Sequence, residues 1–261
     1  MIEPPTVSDT VPTRDGIMDD HQLLGFRSLI GFTVLAILAI GLVVRWLLNP
    51  GHVSRQAQEE EALMTAVAEN NIPEVQRSLA AGVDPDCTDD EMSTCLHVAS
   101  FCGHTEIVKM ILKASTASIE KPGQLCGTPL HVAASACRVD VVKLLLEARA
   151  CVDARDESEL TPLHRAARAG CDATVQALLS AGASIEAQNV DLYTPLHCAC
   201  MGPTIQLRTV ELLLRKGALK DARTANGETA ADLLRRAAAR ELSSATAALR
   251  VIERDDAVHE A

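Results

Sequence analysis

Thr128-Pro129-Leu130-His131 returns as Thr161-Pro162-Leu163-His164 and as Thr194-Pro195-Leu196-His197, after a degenerate first copy at Thr94-Cys95-Leu96-His97. The threonines stand 34, 33 and 33 residues apart. Each copy runs on into small residues (VAS, VAA, RAA, CAC) and then into an apolar stretch, IVKMIL, VVKLLL, TVQALL or TVELLL. The stretches end on Leu112, Leu146, Leu179 and Leu214, and a half-formed copy before them ends on Leu79. A last copy starts at Asn226-Gly227-Glu228-Thr229, where Ala230, Ala231 and Asp232 replace Pro, Leu and His. Such a period means one small unit stacked on copies of itself, since no single unit can bury its own apolar face.

Physical reasons sit behind the recurring residues. Thr before Pro caps a helix, and Pro fits the first turn, where its missing N–H has no partner to lose. Ala133, Ala134, Ala166 and Ala167 let neighbouring helices approach, and the Leu-rich stretch buries a stripe against adjacent units. That stripe predicts burial of Leu144. Gly182 and Gly217 follow the second helix, where a left-handed residue ends it at little cost.

The length of the unit and its T-P-L-H-x-A signature resemble the ankyrin repeat, over about Glu61 to Arg250. The resemblance implies an all-α ankyrin-repeat solenoid of helix–turn–helix units with β-turn fingers. About six units are expected in residues 61–254, the first and last acting as caps. Glu59, Glu60 and Glu61 at one end, with Arg235, Arg236, Arg240 and Glu241 at the other, suit polar outer faces. One departure stands out. Ankyrin fingers carry Gly two residues before the Thr, yet only Gly227 obeys; Met92, Cys126, Glu159 and Leu192 occupy the other copies. Ser115 and Arg149 likewise replace a helix-ending Gly. The fingers are expected to be irregular, and the second and third repeats looser than the rest.

Ahead of the repeats, Leu29 to Val44 carries no charge (LIGFTVLAILAIGLVV) and is bracketed by Arg27 and Arg45, with Trp46 following. A helix over Leu29–Leu48 would be about 30 Å long, the thickness of a bilayer core. Asn49-Pro50-Gly51 ends it. The expected organisation is a disordered segment at 1–27, a transmembrane helix at 28–48, a linker at 49–60, the repeats, and a tail at 255–261. An acidic N-terminal stretch argues against a cleaved signal peptide.

Nine cysteines, an odd number without paired spacing, read as reduced thiols of a cytosolic repeat domain on a single-pass membrane anchor, residues 1–27 lying on the other side. Arginines on the two flanks balance, so this orientation rests on the thiols. Cys198-x-Cys200 is a weak candidate for a metal or redox pair, and Cys137 is the cysteine with a basic neighbour, Arg138.

A net charge of −11 lacks the footprint of a nucleic-acid binder. Aromatics make up 2% of the chain, which favours thin helices over a β-sandwich. The four in-register histidines are about one helix spacing apart, too far to close a zinc shell. No catalytic signature occurs, so an enzyme, a cofactor and a metal are not expected.

The resemblance implies a scaffold or adaptor that binds another protein through fingers and first-helix faces. The alternative is a regulatory ankyrin subunit of a membrane enzyme or channel complex. Carried over by register, the candidate contacts are Asp90, Glu91, Ser93 and Phe101; Gln124, Leu125 and Ser135; Glu157, Ser158, Leu160 and Arg168; and Asp191, Tyr193 and Met201. Phe101 and Tyr193 are candidate anchors because aromatics are scarce. Acidic residues on the fingers suit a partner with a basic surface.

Overall fold

Each Thr-Pro-Leu-His copy starts a helix, and the apolar stretch after it forms a second, antiparallel one. The computed structural model describes residues 55–123, 127–201, 205–238 and 243–259. The expected anchor at 28–48, the segment 1–27, and Gln124, Leu125 and Cys126 lie outside the described residues. Helix pairs run α1 (Arg55–Ala68) with α2 (Ile72–Ala80), α3 (Cys95–Cys102) with α4 (Thr105–Ala114), and α5 (Pro129–Ser135) with α6 (Val139–Glu147). They continue as α7 (Pro162–Ala169) with α8 (Asp172–Ser180), α9 (Pro195–Cys200) with α10 (Leu207–Arg215), and α11 (Ala230–Ala238) with α12 (Ser243–His259). First helices stack on first helices and second on second through all six repeats.

The caps follow the sequence logic. Thr94, Thr128, Thr161 and Thr194 are N-caps whose boxes close with the His three residues on. In the last repeat Asp232 Oδ2 takes that role, accepting from Thr229 N at 3.0 Å and Thr229 Oγ1 at 2.8 Å.

One continuous core runs from Leu63 to Ile252. Leu96, Leu130, Leu163 and Leu196 from the first helices are buried, as are Ile111, Leu145, Leu178 and Leu213 from the second. Ala99, Ala133, Ala166 and Ala199 leave the first helices room for close stacking. Leu144 is a correction: it is only half-buried at the rim of the core, whereas Leu145 is fully buried with Val141 and Val142. In a Leu-Leu-Leu run, any of three neighbouring directions could face inward, and the packing against α4 and α8 selects one.

Two boundaries differ from the sequence reading. Helix α1 begins at Arg55, inside the segment expected as linker, and there Arg55 pairs with Glu59 at 2.9 Å and Gln56 with Glu60 at 3.0 Å. At the other end α12 continues through His259, across the start of the expected tail.

The four fingers whose tips are described are regular rather than irregular. Met92, Glu159 and Leu192 take φ of 61°, 59° and 60°, the left-handed conformation that Gly227 adopts at 77°. Arg149 keeps the left-handed helix-ending slot at 71°, as Gly82, Gly182 and Gly217 do. Ser115 departs instead. It leaves α4 extended, and the chain turns through a 3-10 segment, Ala117–Glu120, while Ser115 Oγ bonds Asp86 Oδ2 at 2.6 Å.

Candidate protein-binding face

Three of the fingers are each tied by one short polar side chain at the base. Asp89 Oδ1 accepts from Glu91 N at 2.9 Å and Ser93 N at 2.8 Å. Asp156 Oδ1 does the same for Ser158 N at 2.9 Å and Leu160 N at 3.0 Å, and Asn189 Oδ1 for Asp191 N at 3.0 Å and Tyr193 N at 2.8 Å. These local turns satisfy N–H groups that the left-handed residue at the tip would otherwise strand. Burial works against ionisation of Asp156, but the Arg165 guanidinium and the N–H groups of Leu160 and Ser158 outweigh it and hold the carboxyl below its usual range. Arg165 Nε donates to Asp156 Oδ2 at 2.9 Å.

Three histidines then brace the next repeat's finger from the preceding repeat. His164 Nδ1 accepts from Thr161 N at 3.1 Å, which leaves the proton on Nε2 to donate to Tyr193 O at 2.9 Å. His97 bonds Gly127 O at 3.0 Å and His131 bonds Leu160 O at 2.9 Å in the same way. Burial lowers the pKa of all four motif histidines, His197 included, favouring this neutral tautomer. For His97, His131 and His164, both ring nitrogens are spent on holding fingers, the role the resemblance implies. In the sixth repeat Asp232 stands in the place of the motif His and bonds its own Thr229 instead.

A ladder of carboxylates ties successive finger bases together. Glu120 Oε1 accepts from Cys151 N at 2.7 Å, Asp153 Oδ1 from Ser184 N at 3.0 Å, and Glu186 Oε1 from Leu219 N at 2.8 Å. Arg155 Nη1 reaches Gln188 O of the next finger at 2.6 Å, and Ala225 N donates to Asp191 O at 2.9 Å. The fingers are thereby held in register as one surface. Sequence reasoning missed this ladder, although an acidic residue recurs 33 positions apart at 120, 153 and 186.

The candidate contacts divide. Asp90, Glu157, Ser158, Arg168 and Asp191 are exposed, and Glu91, Ser93 and Leu160 are half-buried on the fingers. Ser135 is half-buried at the end of α5, with its hydroxyl on Val132 O at 2.9 Å. Phe101 is half-buried at the end of α3, and its carbonyl accepts from Arg138 Nε at 2.9 Å. Tyr193 and Met201 pack partly against the core, and the Tyr193 ring stands edge-on to His197 at 5.9 Å. Tyr193 is therefore more finger support than free anchor. Gln124 and Leu125 lie outside the described residues.

Four exposed large apolar residues were not among the sequence candidates: Leu219 at 61% relative exposure, and on the fingers Met92 at 57%, Val190 at 63% and Leu192 at 42%. Met92 and Leu192 sit in the left-handed slot that Gly holds in regular ankyrin fingers, and that substitution was their sequence signal. A large side chain placed there projects from the tip.

The cysteines need a further correction. Cys137 and Cys171, expected as reduced thiols, are joined by a disulfide with Cα atoms 5.5 Å apart. Cys87, Cys95, Cys102, Cys151, Cys198 and Cys200 are free. Burial raises the thiol of Cys198 to about 12 and pushes that of Cys200 up as well, so neither is poised as a nucleophile.

Comparison with known proteins agrees with this architecture. Ankyrin-repeat family profiles match residues 63–112, 116–189 and 191–225. Over 97 residues the chain is 35% identical to the Ankyrin repeat and KH domain-containing protein mask of Drosophila melanogaster, an alignment covering 36% of this chain and 2% of that protein. Among the described residues no helix is long and apolar enough to cross a membrane. With profile matches over more than half of its residues and six stacked helix pairs joined by braced fingers, the chain belongs to the ankyrin-repeat family.

Proposed function

We propose that this protein is a membrane-anchored, non-enzymatic scaffold that binds a basic segment of another protein across its finger tips. The observation that carries the reading is the row of rigid, projecting tips: Asp90, Glu91 and Met92 on one finger, Glu157 and Ser158 on another, Val190, Asp191 and Leu192 on a third. Acidic groups would steer a basic partner and make its on-rate fall with salt. The apolar tips would supply contact area that charge alone does not. Ankyrin repeats mediate binding to other proteins, which supports the class of function.

Anchoring through residues 28–48 is supported by the uncharged run Leu29–Val44 and its flanking Arg27, Arg45 and Trp46. In this reading the stack faces the cytosol. The Cys137–Cys171 bond takes two of the nine cysteines out of the argument for that orientation; six free ones remain its basis, and Cys126 lies outside the described residues.

Photo-crosslinking residues placed singly at Glu157, Leu192 and Lys143 of the full-length chain in intact cells test the binding face. Adducts with a partner are expected from Glu157 and Leu192, on the fingers, and not from Lys143, exposed on α6. Glu91→Lys with Glu157→Lys should weaken recovery of that partner while circular dichroism stays unchanged. Adducts from Lys143 alone would move the contact surface to the second-helix face.

A further inference from the structure

Cys137 occupies a backbone slot that belongs to glycine. It stands between α5 and α6 with φ of 60°, where the equivalent turns of the flanking repeats carry Gly103 at 83° and Gly170 at 71°. A side chain there is strained, so backbone preference does not explain the cysteine. The direction of its Cβ does. A Cβ built on Gly103 would come within 2.8 Å of Arg138 Cδ, and one built on Gly170 would meet the Gln206 side chain. Arg138, Cys171 and Gln206 are the residues before α6, α8 and α10, the N-cap positions of successive second helices. At every one of these junctions the left-handed slot therefore points at the next repeat's cap. At one junction both positions are cysteine, 34 residues apart in sequence.

We propose that Cys137–Cys171 is a reversible thiol–disulfide exchange site that locks the third repeat to the fourth. Cys137 is exposed and Cys171 is 8% exposed, so attack comes at the Cys137 sulfur from solvent. A low-molecular-weight thiolate attacks Cys137 Sγ, the bond to Cys171 breaks, and Cys171 leaves as thiolate. A second small thiolate attacks the small-molecule sulfur of the mixed disulfide and expels the Cys137 thiolate. The protein disulfide gains two electrons, and two small thiols lose them to become one small disulfide. Oxidation runs the same two displacements in reverse. The neighbouring junction lacks this option; there Arg138 holds the repeats by donating to Phe101 O at 2.9 Å. Elsewhere, Cys87 and Cys95 have sulfurs 3.7 Å apart but lie only eight residues apart, with Cys95 buried, so a bond there would constrain far less of the chain.

The test uses the full-length chain in mild detergent, equilibrated at graded ratios of oxidised to reduced glutathione, then acid-quenched, alkylated and digested without reduction. A peptide linking Cys137 to Cys171 is expected to rise and fall with the ratio. The oxidised form should melt about 10 °C higher than the reduced form, from the length of the closed loop. Cys137→Gly, which restores the residue the flanking repeats use, should fold and melt at one temperature in all buffers, and Cys171→Ser should lose the same dependence. A bond that no ratio reduces in the folded protein would overturn the proposal. So would a redox-dependent melting temperature retained by Cys137→Gly, or linked peptides that favour Cys87–Cys95.

Discussion

Glu159→Gly should make this protein more stable, although it deletes a charged residue and an ion pair. Glu159 holds φ of 59° at the tip of its finger, where Gly227 sits in the fifth finger. A left-handed conformation costs a residue with a Cβ about 1–2 kcal/mol. Against its removal stand two smaller effects. The Arg155–Glu159 contact is 3.4 Å between side chains 41% and 53% exposed, worth about 0–1 kcal/mol after solvent screening. Glycine also loses more backbone freedom on folding, about 0.5–1 kcal/mol relative to alanine. Glu159→Ala separates these: it loses the ion pair but keeps the Cβ. The Gly variant should therefore exceed the Ala variant by about 1 kcal/mol, or about 2–4 °C in melting temperature for a chain of this size. Differential scanning fluorimetry and urea titration on the full-length protein measure it. Met92→Gly and Leu192→Gly relieve the same conformation on other fingers and should add nearly independently. A Gly variant no more stable than its Ala counterpart would show that the finger does not strain its tip, and the reasoning would fail.

Two further outcomes follow from the core and its histidines. Leu145→Ala should cost about 2–5 kcal/mol, and Leu144→Ala clearly less, because one is fully buried and the other sits at the rim; equal losses in chemical denaturation would contradict the assigned face. The four motif histidines have lowered pKa values in the fold, so the unfolded chain binds more protons as pH drops below about 6.5. Their stabilisation is present above that value and is lost as pH falls through the lower folded values. Melting temperature should thus decline from pH 7.5 to pH 5, and His164→Gln should flatten the decline; an unchanged slope would remove His164 from the set of neutral braces.

Much of this architecture is legible in the sequence because the interactions that set it are short-range and repeated. Thr and His three residues apart make a cap, Pro opens the helix, and a fixed period of about one unit forces stacking, so six repeats and their finger positions follow from local chemistry. The candidate face is legible only by register: the exposed acids fall where the resemblance places them, yet the apolar tips Met92 and Leu192 looked like defects of the finger motif rather than features of its surface. Tertiary structure alone decided the rest. Leu145 rather than Leu144 faces inward because helices on both sides fix the rotation of α6, which a nine-residue helix with three successive leucines cannot do for itself. Tyr193 became a support because its carbonyl receives His164 from another repeat. The disulfide was invisible because a spacing of 34 residues is unremarked in a chain of period 33, until the left-handed backbone at Cys137 turns its Cβ across the junction toward Cys171. Local chemistry determined where each helix and finger forms; the direction in which neighbouring repeats present their side chains to one another had to be read from the stack.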